Sequence, residues 1–145
     1  MRRFALLLIS ALTLATPCFA HHMAVVVSKE NAVDNMTSAQ LGKVFRAETR
    51  KWSDGKPVVL VFHRASAGEL VTLQHLNKMT AAQLQAWITD HHDSLKLVDS
   101  DQNVLSIVEN NSGAVGLVDV RSVNDHVKIV HVDGKLPMED GYLSH

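Results

Sequence analysis

The sequence predicts an α/β fold in which helices cover both faces of a mixed, mainly parallel sheet. Two observations carry this prediction. Short Val-rich apolar runs of strand length recur along the chain, and segments with helix caps and apolar stripes separate them. No internal repeat and no low-complexity tract interrupts this alternation.

The first 20 residues have the pattern of a cleavable signal peptide. Two arginines near the start precede an apolar run over residues 4–15, and small residues follow up to Ala20. The apolar run is too short to be a permanent membrane-spanning helix. We therefore expect residues 1–20 to be a signal peptide, cleaved after Ala20, and the mature protein to be periplasmic.

The predicted mature chain, residues 21–145, has the length of one compact domain. The single cysteine, Cys18, lies in the leader, so the mature chain can form no internal disulfide. Pro17 directly before Cys18 disfavours a lipoprotein site. Two of the 14 lysines and arginines lie in the leader, so the mature chain has 12 basic and 15 acidic residues. This balance argues against a nucleic-acid partner, and no later apolar segment is long enough to span a membrane.

Five apolar runs have the length and composition of buried strands. They lie at residues 24–28, 57–62, 95–98, 114–118 and 127–132. Asp-Gly pairs at 54–55 and 133–134 predict turns before the second strand and after the last one. The tail after Lys135 is expected to be loosely attached.

Four helices are predicted between these strands, over residues 38–46, 67–78, 81–91 and 101–110. Ser100 caps the fourth helix. The other three start with a Ser or Thr followed three residues later by Glu or Gln, which is the spacing of a capping box. These pairs are Thr37 with Gln40, Ser66 with Glu69, and Thr80 with Gln83.

Three segments in a fixed order have the motifs of a known family. They are the stretch from Leu41 to the Trp-Ser-Asp-Gly turn at 52–55, Arg-Ala-Ser-Ala-Gly at 64–68, and Gly-Ala-Val-Gly-Leu-Val at 113–118. Together they resemble the periplasmic phosphate-binding proteins of bacterial ABC transporters. The resemblance implies a type II periplasmic-binding-protein-like lobe, phosphate or another oxyanion as ligand, and neither catalysis nor a cofactor.

The chain departs from that family in two respects. A strand follows the leader almost at once, so the family's preceding lobe has no counterpart, and the chain is most similar to short single-lobe relatives. In addition, Ala67 separates Ser66 from Gly68, and Glu69 stands where the family's Ser-Gly-Thr element has a hydroxyl. A second lobe or a protein partner would therefore have to supply any second wall of a ligand cleft.

The candidate anion site is the junction between the second strand and the following helix. Arg64 can give bidentate hydrogen bonds, Ser66 a hydroxyl, and Ala67 and Gly68 the free N–H groups of a helix start. A structural interpretation is favoured, because a capping box already explains Ser66 and Glu69, and the Glu69 charge would repel an anion.

The histidines raise the question of a metal. Adjacent side chains such as those of His91 and His92 diverge on a helix and cannot meet at one ion. After cleavage, His21 would offer its α-amine and imidazole, a chelate that suits Cu(II), with His22 beside it. A flexible polar N-terminus is the simpler interpretation, so no metal is expected.

We also expect no enzyme. The mature chain has no cysteine nucleophile and no Gly-x-Ser-x-Gly motif, and Ser66 with His63 or His75 is only a weak nucleophile–base pair because a cap engages Ser66. The leading prediction is a periplasmic substrate-binding module of the phosphate-binding type, linked to ABC transport. The alternative is a non-catalytic accessory protein that uses the lobe as a scaffold for another protein.

Four further residues are assigned to packing. Trp52 and Trp87 are expected to lie in or over the core. Gly113 and Gly116 are expected to serve helix termination and close strand packing.

Overall fold

A computed structural model describes residues 22–143. The predicted signal peptide and its cleavage site lie outside these residues. Among the helices that are described, none combines the length and the apolar character that crossing a membrane requires.

The described chain has seven strands, four α-helices and two short 3₁₀ turns. The strands are β1 Met23–Ser28, β2 Asn35–Met36, β3 Val59–His63, β4 Leu95–Val98, β5 Ala114–Asp119, β6 Val127–Ile129 and β7 His131–Val132. The helices are α1 Ser38–Phe45, α2 Ala67–Asn77, α3 Ala81–Asp90 and α4 Asp101–Asn110, with 3₁₀ turns at His92–Ser94 and Val120–Ser122.

The main sheet is mixed, as predicted, with strand order β4-β3-β5-β1-β6. Strand β3 runs parallel to both β4 and β5, whereas β1 runs antiparallel to β5 and β6. Strands β2 and β7 form a separate parallel pair. The strands β4, β3 and β5 therefore end at the same edge of the sheet.

Helices cover both faces of this sheet, which the long apolar runs predicted. One face packs against α1, α2 and α3, and its core includes Val25, Phe62 and Leu117. The other face packs against α4 through residues such as Val26 and Val61. Each central strand is thus buried on both sides.

The close packing predicted at Gly113 and Gly116 is confirmed, but helix termination is not, because α4 ends at Asn110 with Asn111 as its C-cap. A methyl group on Gly113 would lie 2.1 Å from the carbonyl oxygen of Pro57, and one on Gly116 would lie 2.6 Å from Val104. The Gly113 carbonyl also accepts a hydrogen bond from the Trp52 indole at 2.9 Å. Trp52 is buried, as expected, and fixes the turn before β3 against the start of β5.

Two expectations about the C-terminal part are wrong. The predicted strand at 127–132 divides at Val130 into β6, which joins the main sheet, and β7, which pairs with β2. The tail is not loosely attached, because the buried Tyr142 hydroxyl donates to the Val130 carbonyl at 2.6 Å and accepts from the Val25 N–H at 3.2 Å. This aromatic side chain anchors the tail to β1, and the adjacent Leu143 is also buried.

Candidate anion site at the carboxyl edge of the sheet

The candidate site lies where the three parallel strands end. His63 ends β3, Val98 ends β4 and Asp119 ends β5, and α2 and α4 begin directly after the first two strands. Ligands of open α/β sheets bind at such an edge, because strand ends and helix starts meet there. All four residues of the predicted anion site, Arg64, Ser66, Ala67 and Gly68, lie at this edge.

Arg64 is exposed and already paired. Its backbone N–H donates to the Val98 carbonyl at 3.1 Å. Its guanidinium donates to both carboxylate oxygens of Asp99, from Nε at 2.7 Å and from Nη2 at 3.2 Å. The hydrogen bond and the charge of Arg64 lower the pKa of Asp99, and Asp99 raises the pKa of Arg64 for the same reasons. Because both side chains are mostly in water, this pair contributes little to stability.

Ser66 caps α2, as predicted. Its hydroxyl accepts the Glu69 N–H at 3.2 Å, and its own N–H donates to the His63 carbonyl at 3.0 Å. The first backbone hydrogen bond of α2 is donated by the Leu70 N–H to the Ser66 carbonyl. The N–H groups of Ala67 and Gly68 therefore precede the helical hydrogen bonds and are the donors that an anion would use.

The capping box predicted for Ser66 and Glu69 is only half formed. The Ser66 N–H, which Glu69 would accept, is occupied by the His63 carbonyl. The Glu69 side chain instead points beneath the helix, is completely buried, and accepts the His63 N–H with both oxygens, at 3.0 and 3.2 Å. The other two boxes, at Thr37 with Gln40 and at Thr80 with Gln83, are complete.

Burial is the main cause that raises the pKa of Glu69 well above its usual value, and the nearby charge of Asp101 raises it further. The hydrogen bond from the His63 N–H opposes this shift. The carboxyl group is thus biased toward its neutral form. Burial beneath the helix and this bias both weaken the repulsion that was expected between Glu69 and an anion in the first turn.

Asp101 connects the ends of two strands, β3 and β5, a role that the sequence did not predict. One of its oxygens lies 2.9 Å from His63 Nδ1, and the other accepts the Asp119 N–H at 3.1 Å and the Ser122 hydroxyl at 2.8 Å. The available signal was the Asp-Ser-Asp sequence at 99–101, directly after β4. These contacts link α4 to β3 and β5, and the contact at Nδ1 fixes the orientation of the His63 ring.

A second arginine at this edge is also paired with an aspartate. The Arg121 guanidinium donates to Asp119 from Nε at 3.0 Å and from Nη2 at 2.8 Å. Both arginines of the edge therefore have a bidentate carboxylate partner. An incoming anion competes with an internal carboxylate at either position.

Histidines do not converge on a metal-ligand cluster within residues 22–143. His91 stacks on Trp87, and its Nδ1 lies 2.8 Å from the Trp87 carbonyl. His22 is exposed, and His21 lies outside the described residues. The copper chelate at His21, which the sequence did not favour, is therefore not tested by the described residues.

Comparison with known proteins identifies the class of fold. No protein-family profile matches the chain. Among solved structures, it is similar to an ABC-type phosphate transport receptor from Vibrio cholerae, with a TM-score of 0.67 and 22% identity. It is also similar to a putative phosphate ABC transporter substrate-binding protein with bound phosphate from Clostridium perfringens, with a TM-score of 0.66 and 24% identity.

A phosphate-binding protein from Stenotrophomonas maltophilia has the same fold, with a TM-score of 0.63 and 16% identity. The matches cover 81%, 80% and 81% of this chain but 48%, 46% and 40% of the three solved chains, in the same order. The chain therefore spans about half the length of the structures that it matches. Its fold is that of a single lobe of the phosphate-transport binding proteins.

Proposed function

We propose that the protein is a periplasmic substrate-binding module of the phosphate-binding type, which binds an oxyanion weakly and acts with an ABC transporter. The observation that carries this proposal is the position of Arg64, next to the N-terminal turn of α2 at the edge where three parallel strands end. The ligand would accept hydrogen bonds from Arg64 and from the N–H groups of Ala67 and Gly68. It would take the place of Asp99 on the guanidinium.

Weak affinity follows from exposure. The Arg64 side chain is 57% exposed, so water competes for each hydrogen bond that it would donate to an anion. The chain also spans only 48% of the solved phosphate transport receptor from Vibrio cholerae. We expect a dissociation constant for phosphate between about 100 μM and several mM. Submicromolar binding by a monomer would contradict this expectation.

Calorimetry with phosphate, sulfate and molybdate tests the proposal. Arg64→Ala should weaken binding by about tenfold or more, because it removes two charge-assisted hydrogen bonds. Arg121→Ala is the matched control, since it removes an arginine from the same kind of aspartate pair at the same edge. Equal loss in both variants, or normal affinity in Arg64→Ala, would rule out the assigned site.

A second candidate is an accessory protein that uses the lobe as a scaffold for another protein. The observation that favours it is that Asp99 and Asp119 already occupy both arginines of the edge. On this alternative, the wild-type protein gives no heat with any of the three anions, and Arg64→Ala has no ligand-binding phenotype. The same calorimetric series therefore separates the two candidates.

A further inference from the structure

Unpaired cations gather at the end of the fold opposite Arg64. Within residues 22–143, Lys43, Arg50, Lys51 and Lys78 form no ion pair with a carboxylate. This differs from the carboxyl edge, where both arginines are paired with aspartates. An anion would compete with an aspartate for each arginine at the carboxyl edge, but not for these four cations at the other end.

These cations line three neighbouring clefts around the end of α1. A cleft of about 360 Å³ between α1 and α2 is lined by Lys43, Arg46, His75 and Lys78, and no carboxylate residue lines it. The segment after α1 contributes Arg50 to a second cleft of about 670 Å³, and Lys51 to a third of about 380 Å³. The clefts adjoin one another, because Arg46 lines the first and the second, and Lys43 lines the first and the third.

The packing of α1 on α2 fixes the geometry of the first cleft. Gly42 allows close approach, since a methyl group there would lie 3.2 Å from the Leu76 carbonyl oxygen. That carbonyl accepts a hydrogen bond from Arg46 Nη1 at 3.4 Å, while Glu48 binds the other side of the Arg46 guanidinium. Lys43 and Lys78 are exposed on the two walls.

Helix ends explain only some of these charges. Lys43 lies in the last turn of α1 and Lys78 is the C-cap of α2, so both complement the negative end of a helix dipole. Arg50 and Lys51 lie beyond any helix and have no such role. Glu48 lines the second cleft with Arg50 but is bound to Arg46, and Asp133 is bound to Ser38 at the first cleft.

We propose that this cationic face binds a ligand that presents several closely spaced phosphoryl groups, anchored by Lys43 and Lys78 in the α1–α2 cleft and extended toward Arg50 and Lys51. Several separated cations without internal partners suit a polyvalent ligand better than a single phosphate. The face is distinct from the Arg64 site, because the 11 residues of α2 place Lys78 about 16 Å from the start of that helix. The phosphoryl groups can belong to a free polyphosphate or to lipid head groups.

The test uses protein produced from the full chain and titrated with inorganic tripolyphosphate at low salt. Lys43→Gln/Lys78→Gln should weaken binding by about tenfold, because two charge-assisted contacts are lost. The matched control is Lys29→Gln/Lys96→Gln, which removes the same charge from exposed lysines outside the clefts and should bind as the wild type does. Equal loss in the two double variants would show that net charge alone governs binding, and would overturn the proposal.

Vesicles of phosphatidylglycerol, with phosphatidylcholine vesicles as the neutral reference, identify the source of the phosphoryl groups. Vesicle binding that Lys43→Gln/Lys78→Gln abolishes assigns lipid head groups, and tripolyphosphate binding without vesicle binding assigns a free anion. Absence of binding to both ligands overturns the proposal. The tenfold loss caused by Lys43→Gln/Lys78→Gln should be the same in an Arg64→Ala background as in the wild type, so failure of this face and failure of the Arg64 site are separate results.

Discussion

Replacement of Glu69 by Gln should make the protein less sensitive to rising pH. Glu69 has no exposed surface, and its carboxyl group contacts the His63 N–H beneath the first turn of α2. Burial raises its pKa in the folded protein above the ordinary value of 4.5. In the unfolded chain, Glu69 loses its proton near that ordinary value.

The sign of the effect follows from proton binding. Between the unfolded and the folded pKa, the folded state holds one proton more than the unfolded state, so unfolding releases it and stability falls as pH rises. The contribution of Glu69 to stability is complete below pH 4.5 and is lost as pH rises through the folded pKa. One proton corresponds to a slope of at most about 1.4 kcal/mol per pH unit.

Glu69→Gln removes this dependence and keeps an acceptor for the His63 N–H. The amide adds a buried donor, which costs about 1–3 kcal/mol if it finds no partner, but this cost does not vary with pH. The diagnostic quantity is therefore the difference in unfolding free energy between Glu69→Gln and wild type. It should increase in favour of Glu69→Gln from pH 4.5 upward and become constant above the folded pKa.

Urea denaturation at half-unit steps from pH 4.5 to 8 measures this difference. Ionisable groups that do not interact with Glu69 contribute equally to both proteins and cancel, which leaves the nearby Asp101 as an exception. Glu30→Gln, which removes the same charge from an exposed glutamate, is the matched control. A flat or decreasing difference for Glu69→Gln would mean that the buried carboxylate is stabilised in its charged form, and would refute the desolvation argument.

Three further predictions concern the core. Gly113→Ala should destabilise the protein by about 1–3 kcal/mol or more in chemical denaturation, because the new methyl group meets the Pro57 carbonyl; an unchanged midpoint would show that this contact relaxes freely. Asn77→Leu should raise the unfolding free energy by about 1 kcal/mol, since neither side-chain amide atom of this buried residue has a partner among the described residues; a loss of stability would reveal a partner. Burial raises the pKa of Tyr142 to about 12, so absorbance titration of this single tyrosine should show no ionisation at pH 10.5 while the protein stays folded; ionisation near pH 10 would place the tail in water.

The sequence predicted the elements whose signals are local. Thr37, Thr80 and Ser100 cap helices within one residue of the expected starts, because a cap needs only residues in the same turn. Ser66 also caps its helix, but the second hydrogen bond of its box, from the Ser66 N–H to Glu69, is missing. This outcome depends on whether Glu69 faces water or the end of β3, and that is decided by how α2 docks on the sheet.

Contacts between distant segments could not be predicted in this way. Asp99 reaches Arg64, and Asp101 reaches His63 and Asp119, only because β4, β3 and β5 end at one edge. Nothing in the local pattern pairs these residues. The anchoring of the tail is similar, since Tyr142 contacts β1 across more than a hundred residues of chain.

The exposure of Arg64 relates the two candidate functions to each other. An anion on this guanidinium gains little while water and Asp99 compete for the same donors. A protein surface that covers the edge would exclude that water and strengthen every hydrogen bond beneath it, as the low dielectric of a buried site does. Such a partner would also bury Asp99 and Asp119, so it would have to bring compensating donors or leave room for their pairs with Arg64 and Arg121. A partner that strengthens phosphate binding should therefore act through Arg64, whereas a partner that uses the lobe only as a scaffold should bind equally well in the absence of phosphate.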